Sequence, residues 1–309
     1  PISMQTTFGC DCEFILTLHG QYKSAVKVLT GTREKRERST HGHEFFHDNV
    51  LAEVAIAPSM TAEETERNFH TALKTLSDMV SPCKLNLAAS ADYPQKELKD
   101  PEAREAGCSE ETDAYVRKTL PSQEKIIKTT PFRTAGGHIH LGGKGVLQDS
   151  GRIPLVVYAM DLFVGIPSLF LDNNVLSKER RQMYGRAGSH REKTYGLEYR
   201  VLSPFWLRSP STVKLIYDLS MFSLNFVESN LINRFWEFDE EKLMAGKKDA
   251  YRCFGYDKDL LVSAINNQNM NAASKFMLII EQFLPVKLLD DLTAEIEAGE
   301  KDIYKSWQL

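Results

Sequence analysis

The sequence predicts an α+β fold: a sheet assembled from hairpins, a helix laid on its apolar side, and a C-terminal third that is mostly helical. Two observations carry this. Four stretches alternate apolar and chemical side chains with a period of two, as a strand with one buried face does. They are Cys10-Asp11-Cys12-Glu13-Phe14, Leu51-Ala52-Glu53-Val54-Ala55-Ile56, Gly136-Gly137-His138-Ile139-His140-Leu141-Gly142-Gly143 and Leu197-Glu198-Tyr199-Arg200-Val201. Beyond residue 206 the apolar spacing turns helical, over 211–235, 257–268 and 271–283, with Ser209-Pro210-Ser211 as a start signal.

Taken in order, residues 8–17 read as the first strand and residues 23–29 as its neighbour across His19-Gly20-Gln21, a hairpin-length connection. A charged loop over 30–42 follows, and its run from Arg33 to Arg38 tips a hairpin. Residues 44–57 form a long strand or hairpin stopped by Pro58. Thr61 with Glu64 three residues on is a capping-box signature, and Phe69, Leu73 and Leu76 supply an apolar stripe through about Met79. Residues 84–90 make a short strand. Residues 92–128 are polar with little periodicity and read as a surface excursion, with a helix near 110–118; a loop of that length suits a substrate lid. Residues 154–171 are apolar and long enough for a buried helix, with Pro167 marking a kink or its last turns. An Arg-rich polar stretch spans 172–193, and Pro204-Phe205-Trp206 ends the Glu198 strand.

With 309 residues the chain has interior enough for a large core, and the reading adopted is one domain over 1–309, the sheet in 8–206 and the helical part in 207–309. A content of 42% hydrophobic and 26% charged residues is that of a soluble protein, and no run is expected to approach the roughly 18 apolar residues of a membrane helix. No basic and apolar leader is visible at the start, so a cytoplasmic location is expected. Five scattered cysteines fit a reducing compartment better than a disulfide framework. Cys10 and Cys12 read as small core residues flanking Asp11, with a soft-metal pair as the other reading. The net charge of −4, without a basic stripe, gives no support for nucleic-acid binding.

The chemical faces of the four strands suggest a single polar wall. Asp11 and Glu13, two apart on a strand, put carboxylates about 7 Å apart on one face, where they repel unless a cation lies between them. Adding Glu44, Glu53 and Glu198 makes an oxygen-rich set suited to Mg²⁺ or Mn²⁺, with His138 as a nitrogen donor. Arg186, Arg191 and Arg200 are the complement, forks for phosphate or carboxylate oxygens. Such a set implies phosphoryl transfer. Each signal alone is ordinary: an acid on a strand is usually solvated, and a neighbouring Glu–Arg pair contributes little. Their coincidence carries the argument. The glycines flanking His138-Ile139-His140 also suggest close approach of backbone to a ligand.

In this order and spacing the motifs resemble the glutamine synthetase and glutamate–cysteine ligase superfamily. The wording Arg180-Arg181-Gln182-Met183-Tyr184-Gly185-Arg186-Ala187-Gly188, followed by Tyr195-Gly196-Leu197-Glu198-Tyr199-Arg200, looks most like its phage-type amidoligases, the COOH-NH2 ligase type. The resemblance implies a curved antiparallel sheet of glutamine synthetase catalytic-domain type, with helices on the convex side and two or three divalent ions on the concave one. It implies ATP as cosubstrate, an acyl phosphate, and small-molecule carboxylate and amine substrates. Carried over by resemblance, Asp11, Glu13, Glu44, Glu53, His138 and Glu198 hold metal, with Asp48 competing for the place of Glu44. His140 faces substrate or phosphate, and Arg186, Arg191 and Arg200 steady phosphates. Host cytoplasm is the expected location if the gene is a phage's, and assembly into a homo-oligomer would be ordinary for the superfamily. The rival readings are a guanidino or carboxyl kinase, a non-catalytic binding relative and a metal-dependent hydrolase.

Overall fold

Eleven antiparallel strands form the main sheet of the computed structural model, which describes residues 5–107, 110–247, 251–253 and 255–309. They are β1 (Thr7–Leu18), β2 (Gln21–Lys23), β3 (Glu37–Arg38), β4 (Glu44–Asp48), β5 (Leu51–Ser59), β6 (Lys84–Asn86), β7 (Thr112–Asp113), β8 (Lys118–Thr119), β9 (Gly137–Gly142), β10 (Ser189–Lys193) and β11 (Gly196–Tyr199). The spatial order is β3-β4-β5-β1-β9-β11-β10-β7-β8, and β2 and β6 pair with the far end of β1.

Period-two alternation divides the sheet into two faces. Phe8, Cys10, Cys12, Phe14 and Leu16 of β1 are fully buried, and they share one core with Val54, Ile139, Leu141 and Leu197 of neighbouring strands. Helix α1 (Ala62–Val80) closes that face with Phe69, Leu73 and Leu76, as its spacing predicts. Thr61 caps it, accepting from the Glu64 amide at 3.1 Å, while the Glu64 carboxylate accepts from the Met60 amide. Helices α2 (Ile153–Leu171), α3 (Val175–Arg181), α4 (Pro210–Glu228), α5 (Lys258–Asn267), α6 (Met270–Phe283) and α7 (Val286–Ala298) are the longer members of the helical part, beside short helices at Glu124–Thr129, Glu240–Met244 and Ile303–Trp307. Ser209 caps α4 through the Thr212 amide, with Pro210 at its first position.

Several expectations need correction. The strand expected over 23–29 stops at Lys23, because the Ser24 hydroxyl takes the Val26 amide and turns the chain. The helix expected near 110–118 is a two-strand ribbon, β7–β8, whose turn is set by Asp113 accepting from the Tyr115 amide and by Arg117 in the left-handed region. Residues 84–90 divide into β6 and a separate strand, Ser90–Asp92. α2 runs through Pro167 and adopts a wider π winding over Asp161–Gly165, just before the proline that lacks an amide to donate. It is also 19 residues long and apolar enough to cross a membrane by length and composition, contrary to the expectation that no run approaches this. The structure buries 89% of that window in protein, so it is the central core helix. Cys10 and Cys12, expected as thiols, are joined as a disulfide; side chains two apart on a strand share a face, and here the Cα atoms are 5.7 Å apart.

Candidate active site

Strand register assembles the polar wall. Asp11 is the cross-strand partner of His138, Glu13 of Glu53, His140 of Glu198, and Glu198 of Arg191. Acids, imidazoles and guanidinium groups from five adjacent strands therefore share the face opposite the core. A cleft of about 910 Å³ opens over this wall. Asp11, Glu13, Glu53, His138, Glu198 and Arg200 line it, together with Arg186, Arg191 and the segment 119–127.

Glu198 is the centre of the cationic half. Its carboxylate accepts from Arg200 and lies 3.7 Å from Arg191, 3.5 Å from Lys193 and 3.6 Å from His138 Nδ1. Burial alone would raise its pKa, but Arg200, with His140, Arg191 and Lys193 behind it, holds the carboxyl down to about 2. The acidic half behaves in the opposite way. Burial, then Asp48, pushes Glu13 up to about 8, and burial, then Glu13 and Asp48, raises Glu53 well above the usual carboxylate range. Two buried carboxylates directly opposite each other are unfavourable without a cation.

The two histidines are held differently. His138 is 2% exposed, its Nε2 3.2 Å from the Tyr184 hydroxyl and its Nδ1 3.3 Å from Arg200. Burial, then Arg200, lowers its pKa well below the ordinary value, so it is neutral. His140 lies outside the cleft lining, stacked on Tyr195 at 5.5 Å between ring centroids. Its Nε2 is buried with no hydrogen-bond partner, 3.5 Å from Asp11 Oδ2. Donor atoms of Asp11, His140 and Glu198 all lie within 4.8 Å of one another, a spacing that could hold a metal ion.

Of the residues singled out in the sequence, Glu44 is not brought to the cleft: it stands opposite Ala55 and pairs with Arg36 at 3.5 Å. Asp48 lines the cleft in its place, bonded by Arg33. Arg186 lines the cleft and donates only weakly, to the Arg181 and Gln182 carbonyls at 3.4 and 3.3 Å. The glycine expectation also changes. A Cβ on Gly136 would fall 2.2 Å from His138 Nε2 and one on Gly137 2.5 Å from the Trp206 indole nitrogen, so these glycines make room for protein side chains.

Sequence reasoning missed Glu111, Tyr184 and Lys193. Tyr184 stood inside the quoted Arg-rich motif, and Lys193 shares a strand face with Arg191. Glu111 lies in the aperiodic excursion, where no spacing marks it.

The part of the chain that carries the histidines, the arginines and Glu198 matches the model of a carboxylate–amine ligase family. That family is described as phage phiEco32-like COOH.NH2 ligase-type 2, and the match covers residues 127–244. It bears out the resemblance drawn from the sequence over that segment. No curated protein matches. Among solved structures, a bifunctional glutathione synthetase from Pasteurella multocida is similar at 11% identity and a TM-score of 0.45, covering 98% of this chain. This chain spans 48% of that one.

Proposed function

We propose that the protein is an ATP-dependent carboxylate–amine ligase, forming an amide through an acyl phosphate on a sheet of glutamine synthetase type. In this reading the chain from 1 to 309 is one catalytic unit acting on a small-molecule carboxylate and an amine. The observation that carries it is the division of one cleft into a crowded acidic half, Glu13, Glu53 and Asp48, and a cationic half around Glu198. The ligase family match over 127–244 supports it.

The donor chemistry fits two divalent cations, Mg²⁺ or Mn²⁺. Asp11, His140 and Glu198 would hold one, which the orphaned His140 Nε2 supports. A second would offset the crowding of Glu53 by Glu13 and Asp48. This exchanges the two histidines relative to the resemblance, because both ring nitrogens of His138 already face Tyr184 and Arg200. Bound there, such ions neutralise a transferring phosphoryl group, so that an anionic carboxylate can approach it.

The remaining groups orient and exclude. Arg186 presents a guanidinium fork to phosphate oxygens. The segment 119–127, with Arg33 and Arg36 of the 30–42 loop, walls the cleft against water, which would hydrolyse an acyl phosphate.

The test measures ADP release with Mg²⁺ or Mn²⁺ against pools of amino acids, polyamines and carboxylates, with Glu198→Gln as control. Release that requires both an acid and an amine is the expected result. No ADP from any pool would leave the binding-relative reading in possession.

A further inference from the structure

Arg200 is tightly engaged by side chains of the polar wall, where Arg133, the other deeply buried arginine of the cleft, is held by backbone carbonyls. Arg200 is 5% exposed, and each of its three nitrogens has a protein partner. Nε donates to Glu111 Oε1 at 2.7 Å, the first terminal nitrogen donates to Glu198 and lies 3.3 Å from His138 Nδ1, and the second donates to the Tyr184 hydroxyl. A guanidinium so engaged has to surrender a buried, charge-assisted bond before it can take a phosphate oxygen. Arg186, by contrast, holds only two long bonds to backbone carbonyls.

Glu111 is itself fixed on both sides. Its second oxygen accepts from the Ser189 hydroxyl at 2.7 Å, and its carbonyl accepts from the Leu120 amide at 2.8 Å. The strand that follows it, β7, pairs with β10 through Ser189–Asp113 and His190–Thr112. The carboxylate thus reaches Arg200 from the residue just before a strand paired to β10, and the Glu110 carbonyl beside it accepts from Arg191 Nε at 3.1 Å.

We infer that Arg200 is a positioning residue and that Glu111 sets it: the Glu111–Arg200 bond aims the guanidinium so that Glu198, His138 and Tyr184 are held in one arrangement, and anion binding falls to Arg186. The kinetic part of this inference rests on the ligase reading; the bond itself does not.

The experiment therefore has two arms. In protein labelled with ¹⁵N-arginine, the Arg200 Nε–H resonance is assigned by its loss in Arg200→Lys. It is expected to exchange slowly, and Glu111→Ala is expected to shift it and speed its exchange roughly tenfold or more. Glu111→Gln, which keeps an acceptor for Nε while Ser189 rotates to accept from the new amide, restores part of the protection and guards against a misfolded alanine variant. An unchanged resonance in Glu111→Ala overturns the inference. In the kinetic arm, Glu111→Ala lowers kcat by roughly 10- to 100-fold, with the KM for ATP held within about twofold. A raised KM for ATP at unchanged kcat would show Arg200 to be an anion contact and overturn the positioning role. Absence of ADP release from the unaltered protein would defeat the ligase reading, and the resonance would still decide the bond.

Discussion

Glu13 and Glu53 are cross-strand partners on β1 and β5, and both carboxylates are buried in the face that lines the cleft. Burial, then Asp48, raises Glu13 to about 8, and burial, then Glu13, raises Glu53. A carboxyl whose folded pKa exceeds its unfolded value binds its proton more tightly in the folded state. The resulting stability is fully present below about 4.5 and is lost as pH rises toward about 8. Asp161, also raised to about 7, titrates in the same window, so the contribution of the pair is read as a difference: between about 4.5 and 8 the Tm of the metal-free protein should fall more steeply than that of Glu13→Gln, and saturating Mn²⁺ should shrink the gap. Identical metal-free profiles for the two proteins would show that burial does not raise the Glu13 carboxyl.

Removing one of the pair separates stability from activity. Glu53→Gln should raise metal-free stability near neutral pH by on the order of 1 kcal/mol, since it removes a buried carboxyl that folding obliges to take up a proton, while abolishing ADP release. Glu198→Gln should also abolish it, but at a stability loss of about 1–3 kcal/mol, because it takes the charge out of a buried bond with Arg200. Urea titrations of the two variants, side by side, check the opposite signs.

The histidines make a ranked prediction. His140→Ala should weaken Mn²⁺ binding by roughly 10- to 100-fold, measured by calorimetric titration, with a small change in Tm. His138→Ala should do less to Mn²⁺ and more to stability, since it removes the buried ring between Tyr184 and Arg200. The reverse ranking would return the metal to His138.

Gly136→Ala probes the support of that ring. A Cβ 2.2 Å from His138 Nε2 cannot be accommodated without moving the imidazole, and overpacking of this kind costs about 1–3 kcal/mol. Circular dichroism melts should show the loss, and Gly20→Ala, whose Cβ would meet nothing within 4 Å but whose φ is +77°, serves as a backbone-strain comparison.

Much of the wall was legible because strands write their faces in alternate residues. Asp11 with Glu13, His138 with His140, and Glu198 with Arg200 each announce a polar side through period two, and the capping signals at Thr61 and Ser209 fix two helices. What was not legible depends on register and on distant contacts. Whether Glu44 or Asp48 reaches the cleft depends on how the β4–β5 hairpin turns at Asn49, which stands in the left-handed region. Glu111 meets Arg200 across 89 residues of chain, and no local pattern encodes that. The buried Asp161, raised to about 7 by burial and accepting from Tyr199, Tyr115 and the Gly188 amide, was hidden in an apolar run for the same reason.

Joining a carboxylate to an amine leaves a signature in the mass of the product. With the acid and amine that support ADP release, mass spectrometry should find a new species weighing the sum of the two less one water, formed in step with ADP and lost in Glu53→Gln. A product that carries phosphate in place of an amide would contradict the account and make the protein a kinase.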